Sequence, residues 1–572
     1  MSGVRRFLAW LADPAIALGL AGAYLTLLFF TSKSLGYARD EGFYFQAAHS
    51  YESWFDLLLR APKQALEQTQ VDRYWSANNE HPAFVKSLFA LSHKYLWAEW
   101  KWIAEEGTAF RFPGMLLSSL AVGVTYLWGQ RTVSRLAGVV AAIAFAMMPR
   151  VYYHAHLDCF DMPVTAMWLF TTYAYWRSLD GGGLPWALLT GLLYGLLLDT
   201  KHNSWLLPPA LIAHFVIARG PGLWRELRVG RISAPAALFA IALVGPVVFY
   251  LTWPWIWHDT GRRLAAYVAF HTGHEYYNME FLGRTYWKPP MPRAYAPVMT
   301  LATVPAITLL LFGIGLVAAS RRAFRARLGH IERWIARQFA WSEPVRATPG
   351  DKRIFSAELL WVLCILVSYA PWLSKATPIF GGTKHWIPAY PFLCLFAAQG
   401  FEIVRGKLGA LVGDRRALLR YAADAGLLSS VAAAPIAITV HSHPWGLSAY
   451  TPLVGGAPGG ASLGLNRTFW GYTTGSVQRF LNERAAQGAS VYIHDTAYQS
   501  WDQMLHDGRI RPDLRAGMTP AQSGISLYHH EPHMERVEYQ IWVDYGTTAP
   551  AYIGAYDGVP VIWVYARPAA LR

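Results

Sequence analysis

Apolar runs of about 17–25 residues recur along this chain, the length a helix needs to cross the hydrocarbon core of a bilayer. Inside that core every backbone N–H and C=O must be paired within the segment, so such runs form helices rather than open sheets. The expected spans are 14–32, 110–130, 135–150, 161–178, 184–200, 203–219, 233–253, 295–319, 356–374, 386–403 and 419–440. The fold class is therefore mainly α, a polytopic membrane helix bundle of about eleven transmembrane helices. An odd number of crossings puts the two termini on opposite sides.

The 572 residues are 54% hydrophobic and 15% charged, and 26 Trp with 31 Tyr are enough to furnish interfacial aromatic belts. The formal charge of +14 would suit a nucleic-acid partner. The basic residues, however, gather in short loops between apolar runs, at 219–231, 321–353 and 405–420, along with Arg5-Arg6 at the start. With one crossing per span, all four fall on one side, which the positive-inside pattern makes cytoplasmic. No nucleic-acid partner is expected. The opposite, outer side then receives 33–109, 151–160, the turn at Lys201-His202, 254–294, 375–385 and everything after about 441. The start, Met1-Ser-Gly-Val-Arg-Arg, reads as the basic flank of an uncleaved first span. Cys159, Cys364 and Cys394 lack metal-ligand spacing and read as buried free thiols.

The segment 82–97 is apolar but carries Lys86, His93 and Lys94, and reads as an amphipathic helix lying in the interface. The chain divides into a transmembrane part, 1–440, with a large first outer loop at 33–109 containing interfacial helices, and a small α/β domain at 441–572. In the latter, β-like runs at 490–494, 539–543 and 559–565 alternate with helix-like stretches such as 476–486.

Titratable residues cluster in the outer loops. Asp40-Glu41 follows the first span, and two adjacent acids beside a membrane helix are costly without a purpose. They suit base chemistry, or a solvated loop end. Asn78-Asn-Glu-His-Pro-Ala-Phe-Val-Lys86 comes next. His154, His156 and Asp158 could hold a divalent metal, or be interfacial histidines satisfied by water with Asp158 as a helix cap. Arg111, Lys201 and Lys384 suit a phosphate, or snorkel as anchors. Gly455-Gly-Ala-Pro-Gly-Gly lacks the Lys and Ser/Thr of a phosphate loop and reads as a turn.

The ordered set Asp40-Glu41, Glu80-His-Pro-Ala-Phe-Val-Lys86, Arg111-Phe-Pro, Leu157-Asp158, Asp199-Thr-Lys201 and His385-Trp-Ile-Pro-Ala-Tyr-Pro391 resembles the C-type integral-membrane glycosyltransferases. Within them it is similar to the protein O-mannosyltransferase-like group that includes the lipid A aminoarabinose transferases. Tyr450-Thr-Pro-Leu-Val-Gly-Gly and Phe469-Trp-Gly471 are similar to a segment of bacterial members. Ala83 and Val85 stand where the group has proline and glycine, and the tail does not resemble the β-trefoil of eukaryotic members. The resemblance implies an inverting hexosyl- or pentosyltransferase of the bacterial inner membrane, with its site on the periplasmic face. It implies a polyprenyl-phosphate sugar as donor, a lipid, glycan or protein hydroxyl as acceptor, and contact with membrane lipids. It makes Asp40 the base, with Glu41 and Asp158 supporting it. Arg111, Lys201 and Lys384 would hold the donor phosphate, and Glu80, His81, Lys86 and His385 would contact substrate. These residues fix no cofactor, and a divalent metal at His154 and His156 is the one candidate. The competing class is a transporter or flippase of lipid-linked sugars, which predicts charges near the midplane and paired broken helices.

Overall fold

A computed structural model describes residues 3–219, 223, 234–339, 349–379, 381–412, 417–530 and 535–572. Of the basic loop residues, Arg225, Arg228, Arg231, Arg346, Arg415 and Arg416 lie outside this set.

Helices lie in each of the eleven expected segments, with breaks at Met147-Met148 and Val304-Pro305 and with position 233 outside the described residues. Seven helical stretches among the described residues are long and apolar enough to cross a membrane, or up to eight if the bent pair Arg135–Ala146 and Pro149–Ala155 is one span. The difference from eleven has local causes. The stretch Asp161–Leu198 breaks at Asp180 and Gly181, where Gly181 has φ +84°. Its halves, Asp161–Arg177 and Gly183–Leu198, pack against each other as two helices. Leu207–Arg219 and Ala236–Thr252 are short, at 13 and 17 residues.

The bundle is organised around Tyr390–Val412, whose first twelve residues are all buried. Gly315 and Gly400 bring this helix against Ala306–Phe339: a Cβ on either would strike the carbonyl oxygen of Phe396 or Leu311. Small residues at such contacts let helix backbones approach closely where water provides no drive. Leu18, Phe30, Leu184, Leu188, Leu243 and Leu310 point outward instead. An apolar exterior of this kind suits lipid rather than water.

The expected interfacial segment forms helix Phe84–Ser92, continued by a π-helical turn, His93–Glu99. After Ser442 the chain builds a five-stranded mixed sheet in the order 515–517, 490–493, 525–529, 559–566, 552–556. The first three are mutually parallel and the last two pair antiparallel. The run 539–543, expected as strand, lies in helix Glu535–Tyr545. Its apolar residues Val537, Ile541 and Tyr545 recur every four positions and pack against Tyr528 and Tyr565. That helical stripe overrides the short alternation.

The sheet does not stand alone. Val491, Ile525, Leu527, Val561 and Trp501 share one apolar core with Leu35, Tyr37, Trp54 and Phe89 of the first outer loop. Gly36 makes a close approach, since a Cβ there would strike the Tyr472 carbonyl and the Gly475 backbone. The three cysteines are buried and unpaired.

Candidate active site

Asp40 and Glu41 open helix Arg39–Arg60, and the helix sends them different ways. Successive residues turn by about 100°. Glu41 points inward and is fully buried. Its Oε2 accepts the Ala38 N–H at 2.8 Å, one half of a capping box. Both oxygens pair with Arg111, at 2.7 Å to Nε and 2.8 Å to the second guanidinium nitrogen. Oε1 also accepts the Asp158 N–H at 2.9 Å. Arg111 donates further to the carbonyls of Ser32, Leu35 and Gly36, and lies over the Tyr37 ring. Glu41 and Arg111 thus tie the end of the first helix, the start of the second and the Asp158 loop into one buried knot.

Asp40 faces the other way, into a cavity of about 540 Å³. Its Oδ1 is 3.6 Å from Arg39 Nε and its Oδ2 is 3.8 Å from Lys384 Nζ. Lys384 also lies 3.8 Å from the centre of the Trp470 ring. Burial holds the Lys384 ammonium below the ordinary lysine range, against the pull of Asp40 and Asp161. Lys201, on the same cavity, pairs with Asp161 Oδ1 at 2.7 Å. Its position follows from the turn before it: Asp199 Oδ1 accepts the Ala83 N–H at 3.0 Å, and the Asp199 carbonyl accepts the Phe84 N–H at 3.1 Å. The Asp199-Thr-Lys201 turn and the Glu80-to-Lys86 loop are therefore locked together.

Aromatic and imidazole rings form the rest of the wall. His202 stacks on His271 with centroids 4.0 Å apart, and His81 lies 5.6 Å from His271. His385 stacks on Trp372 at 4.3 Å. Burial pushes His81 and His202 well below the usual imidazole range, helped by Lys86 at His81 and by His271 at His202. His271 is pushed down to about 4. These rings are neutral at pH 7 and offer hydrogen bonds rather than charge. Glu80 accepts from Asn78 Nδ2 at 2.6 Å and, through its carbonyl, from His271 Nε2 at 2.9 Å.

Of the residues singled out in the sequence, Asp40, Glu80, His81, Lys201, Lys384 and His385 share this cavity. Glu41, Arg111, Lys86, Asp158, His154 and His156 do not line it. The Asp158 carboxylate is buried without a hydrogen-bond partner, and burial beside Glu41 raises its pKa well above the usual range. His156 bonds the Tyr152 carbonyl through Nδ1 and Thr31 through Nε2, whereas His154 Nδ1 is 3.5 Å from Asp161. Among the described residues these two histidines join no group of three His, Cys, Asp or Glu close enough to share a cation.

Lys86 is wholly buried and donates to the carbonyls of Asn78 at 2.6 Å and His81 at 2.9 Å, beneath the Tyr51 ring. It fixes the loop that carries Glu80 and His81. Burial lowers its pKa from 10.5 to about 7, where a neutral amine still has donors for both carbonyls. The unfolded chain keeps that proton up to about pH 10.5, so it binds more protons than the folded chain between about 7 and 10.5. Stability should therefore rise with pH across that window, by at most about 1.4 kcal/mol per pH unit. Lys86→Met should flatten the rise in thermal melts recorded from pH 7 to 10; an unchanged slope would rule Lys86 out as its source.

Three contributors escaped the sequence reading. Trp470 sits in the noted Phe469-Trp-Gly471 segment, but only the fold brings it to the cavity. Its backbone is left-handed, with φ +70°, and its carbonyl accepts the Arg39 N–H at 2.8 Å. Such strain in a non-glycine residue persists where surroundings fix it, commonly at functional sites. Asp161 opens its helix and holds Lys201. Arg39 precedes the acid pair and bridges to Asp495 at 2.7 Å.

The family model of dolichyl-phosphate-mannose-protein mannosyltransferases matches residues 95–250. That stretch holds Arg111, Asp158, Asp161, Lys201 and His202; Asp40, Glu80 and Lys384 lie outside it. No curated protein matches the chain. Among solved structures, it aligns over 97% of its length, and 98% of that chain, with ArnT from Cupriavidus metallidurans bound to undecaprenyl phosphate, at 14% identity and a TM-score of 0.46. It aligns over 73% of its length, and 55% of that chain, with an apo oligosaccharyltransferase from Archaeoglobus fulgidus, at 11% identity and a TM-score of 0.44. Both are remote similarities. The resemblance to C-type membrane glycosyltransferases, first read from short motifs, thus meets an independent match to the dolichyl-phosphate-mannose-protein mannosyltransferase family across residues 95–250.

Proposed function

We propose that the chain is a membrane glycosyltransferase that moves a sugar from a polyprenyl-phosphate donor to a hydroxyl on a lipid, glycan or protein. The observation that carries this reading is the shared cavity, in which Asp40 lies 3.8 Å from Lys384 and Lys201 stands on the same wall, all at helix ends. The residues divide the work as follows. Asp40 takes the proton from the acceptor hydroxyl as its oxygen attacks the sugar carbon, and must lie within hydrogen-bond reach of it. The bond from that carbon to the phosphate oxygen breaks on the opposite face, so one displacement inverts the centre. Lys201 and Lys384 offset the charge left on the departing polyprenyl phosphate. Lys384 pairs with Asp40 before the donor enters; a phosphate that draws Lys384 to itself leaves Asp40 available to the acceptor. Glu80, His81 and His385, with the stacked rings, orient the sugar. Arg111, Glu41, Lys86 and Asp158 support the site from behind.

The transporter reading fits less well. Asp40, Lys201 and Lys384 all stand just beyond the ends of candidate spans, not in their middles. The side of the site is read as periplasmic from the basic loops, in the bacterial inner membrane that the resemblance implies. An alkaline phosphatase fused after Arg572 should then be active in cells, and an inactive fusion with a cytoplasmic reporter active in its place would contradict this.

The test of function is transfer of radiolabelled sugar from defined polyprenyl-phosphate hexose and pentose donors into membrane extracts by the purified protein. Transfer from one of these donors is expected. Donor translocation across vesicles without transfer would establish the transporter instead.

A further inference from the structure

Away from the cavity, a second cluster gathers on the first outer loop. His49 comes from helix Arg39–Arg60, His93 from the π-helical turn and Glu106 from the first residue of helix Glu106–Thr132. One ligand atom from each lies within 4.8 Å of the other two. His93 Nε2 is 2.9 Å from Glu106 Oε1, and His49 Nε2 is 3.7 Å from the same oxygen. Tetrahedral ligands at about 2.0–2.1 Å from a zinc ion stand about 3.3 Å apart, within the range these pairs bracket.

Three further features match a metal centre. The far nitrogen of His93, Nδ1, is 2.5 Å from Glu52 Oε2. A carboxylate behind a histidine ligand fixes its tautomer and its aim. The His93 ring is clamped between Phe110, at 4.5 Å and 7°, and Trp97, at 4.8 Å and 28°. Two carboxylates, Glu52 and Glu106, also converge here, and among the described residues their ion-pair partners are histidines and no Lys or Arg: His93 for both, with His49 and His506 at Glu106. A divalent cation would balance them.

We propose that His49 Nε2, His93 Nε2 and the Glu106 carboxylate bind a divalent transition metal of the zinc class, with Glu52 positioning His93. The nitrogen-rich donor set suits such a metal over magnesium or calcium, which take oxygen ligands. The site is joined to the C-terminal sheet region, because helix Tyr498–His506 meets it. Gln503 Nε2 donates to Glu106 Oε2 at 3.1 Å, and His506 Nδ1 is 3.6 Å from that oxygen. A bound ion would fasten helix Arg39–Arg60 and the π-helical turn to the start of helix Glu106–Thr132, which Gln503 already ties to the C-terminal sheet region.

The test uses the full chain, purified in detergent, stripped with chelator, and titrated with zinc sulfate. Retained metal is counted by mass spectrometry, with thermal melts and cobalt absorption alongside. His49→Gln is the key variant, because His49 is nearly half exposed and tolerates change. Wild type should retain about one ion per chain and melt higher with zinc. His49→Gln should fold, bind more weakly by at least the roughly 10–100-fold that loss of even an outer-shell partner costs, and lose the zinc-dependent rise. His154→Gln should bind as wild type does. Equal retention by wild type and His49→Gln, no stoichiometric retention by wild type, or loss in His154→Gln alone would each overturn the proposal.

Discussion

Asp40→Asn is expected to lower sugar transfer by about 10²–10⁴-fold, the range for loss of a positioned general base. The amide keeps the shape of the carboxylate but cannot take the acceptor's proton. The fold should survive, because Asp40 is partly exposed and its pair with Lys384 at 3.8 Å is loose. Exposed or loosely paired ions contribute little to stability. Initial rates with a polyprenyl-phosphate sugar, read beside a thermal melt, separate the two effects. Equal rates for the variant and the wild type would remove Asp40 from the chemistry.

Arg111→Met should act in the opposite sense, on stability first. The change strands the fully buried Glu41 carboxylate, which Arg111 grips through two bonds. Removing one partner of a buried pair costs about 3–5 kcal/mol. It also takes donors from the carbonyls of Ser32 and Gly36. The double change Glu41→Gln with Arg111→Met should recover part of that loss, since the two residues form one unit. Scanning fluorimetry in detergent measures both. If Arg111→Met melts with the wild type yet no longer binds donor, Arg111 is a phosphate ligand, as the resemblance implies, and not a strut.

The contrast between Asp40 and Glu41 shows where sequence reading stopped. Adjacent acids beside a span were conspicuous because charge is rare there, and helices appear wherever long apolar runs announced them. Which acid faces the cavity depends on where the helix begins, and that is set by the Ala38 and Glu41 cap. Lys201 and Lys384 lie 183 positions apart in number, yet share a cavity because each ends a loop on the same side of the bundle. Arg111 and Lys86 looked like cavity cations, since sequence records their charge but not the carbonyls and carboxylate that saturate them. Trp470 reaches the cavity, and Asp495 reaches Arg39 on its wall, because the C-terminal sheet shares a core with the first outer loop. Cross-chain packing of that kind leaves no local pattern. The run 539–543 misled because five residues of alternation are too short to outweigh a helical stripe extending on both sides.

The central claim is that the cavity beside Asp40 takes the donor phosphate. A cryo-electron microscopy structure of the purified protein with a polyprenyl phosphate tests it most directly. The expected result is a phosphate within about 4 Å, ion-pair distance, of both Lys201 Nζ and Lys384 Nζ. The Lys384 contact to Asp40 should be broken and the Asp40 carboxylate should face open cavity. A phosphate bound at Arg111, or on the opposite side of the bundle with the cavity vacant, would contradict the account.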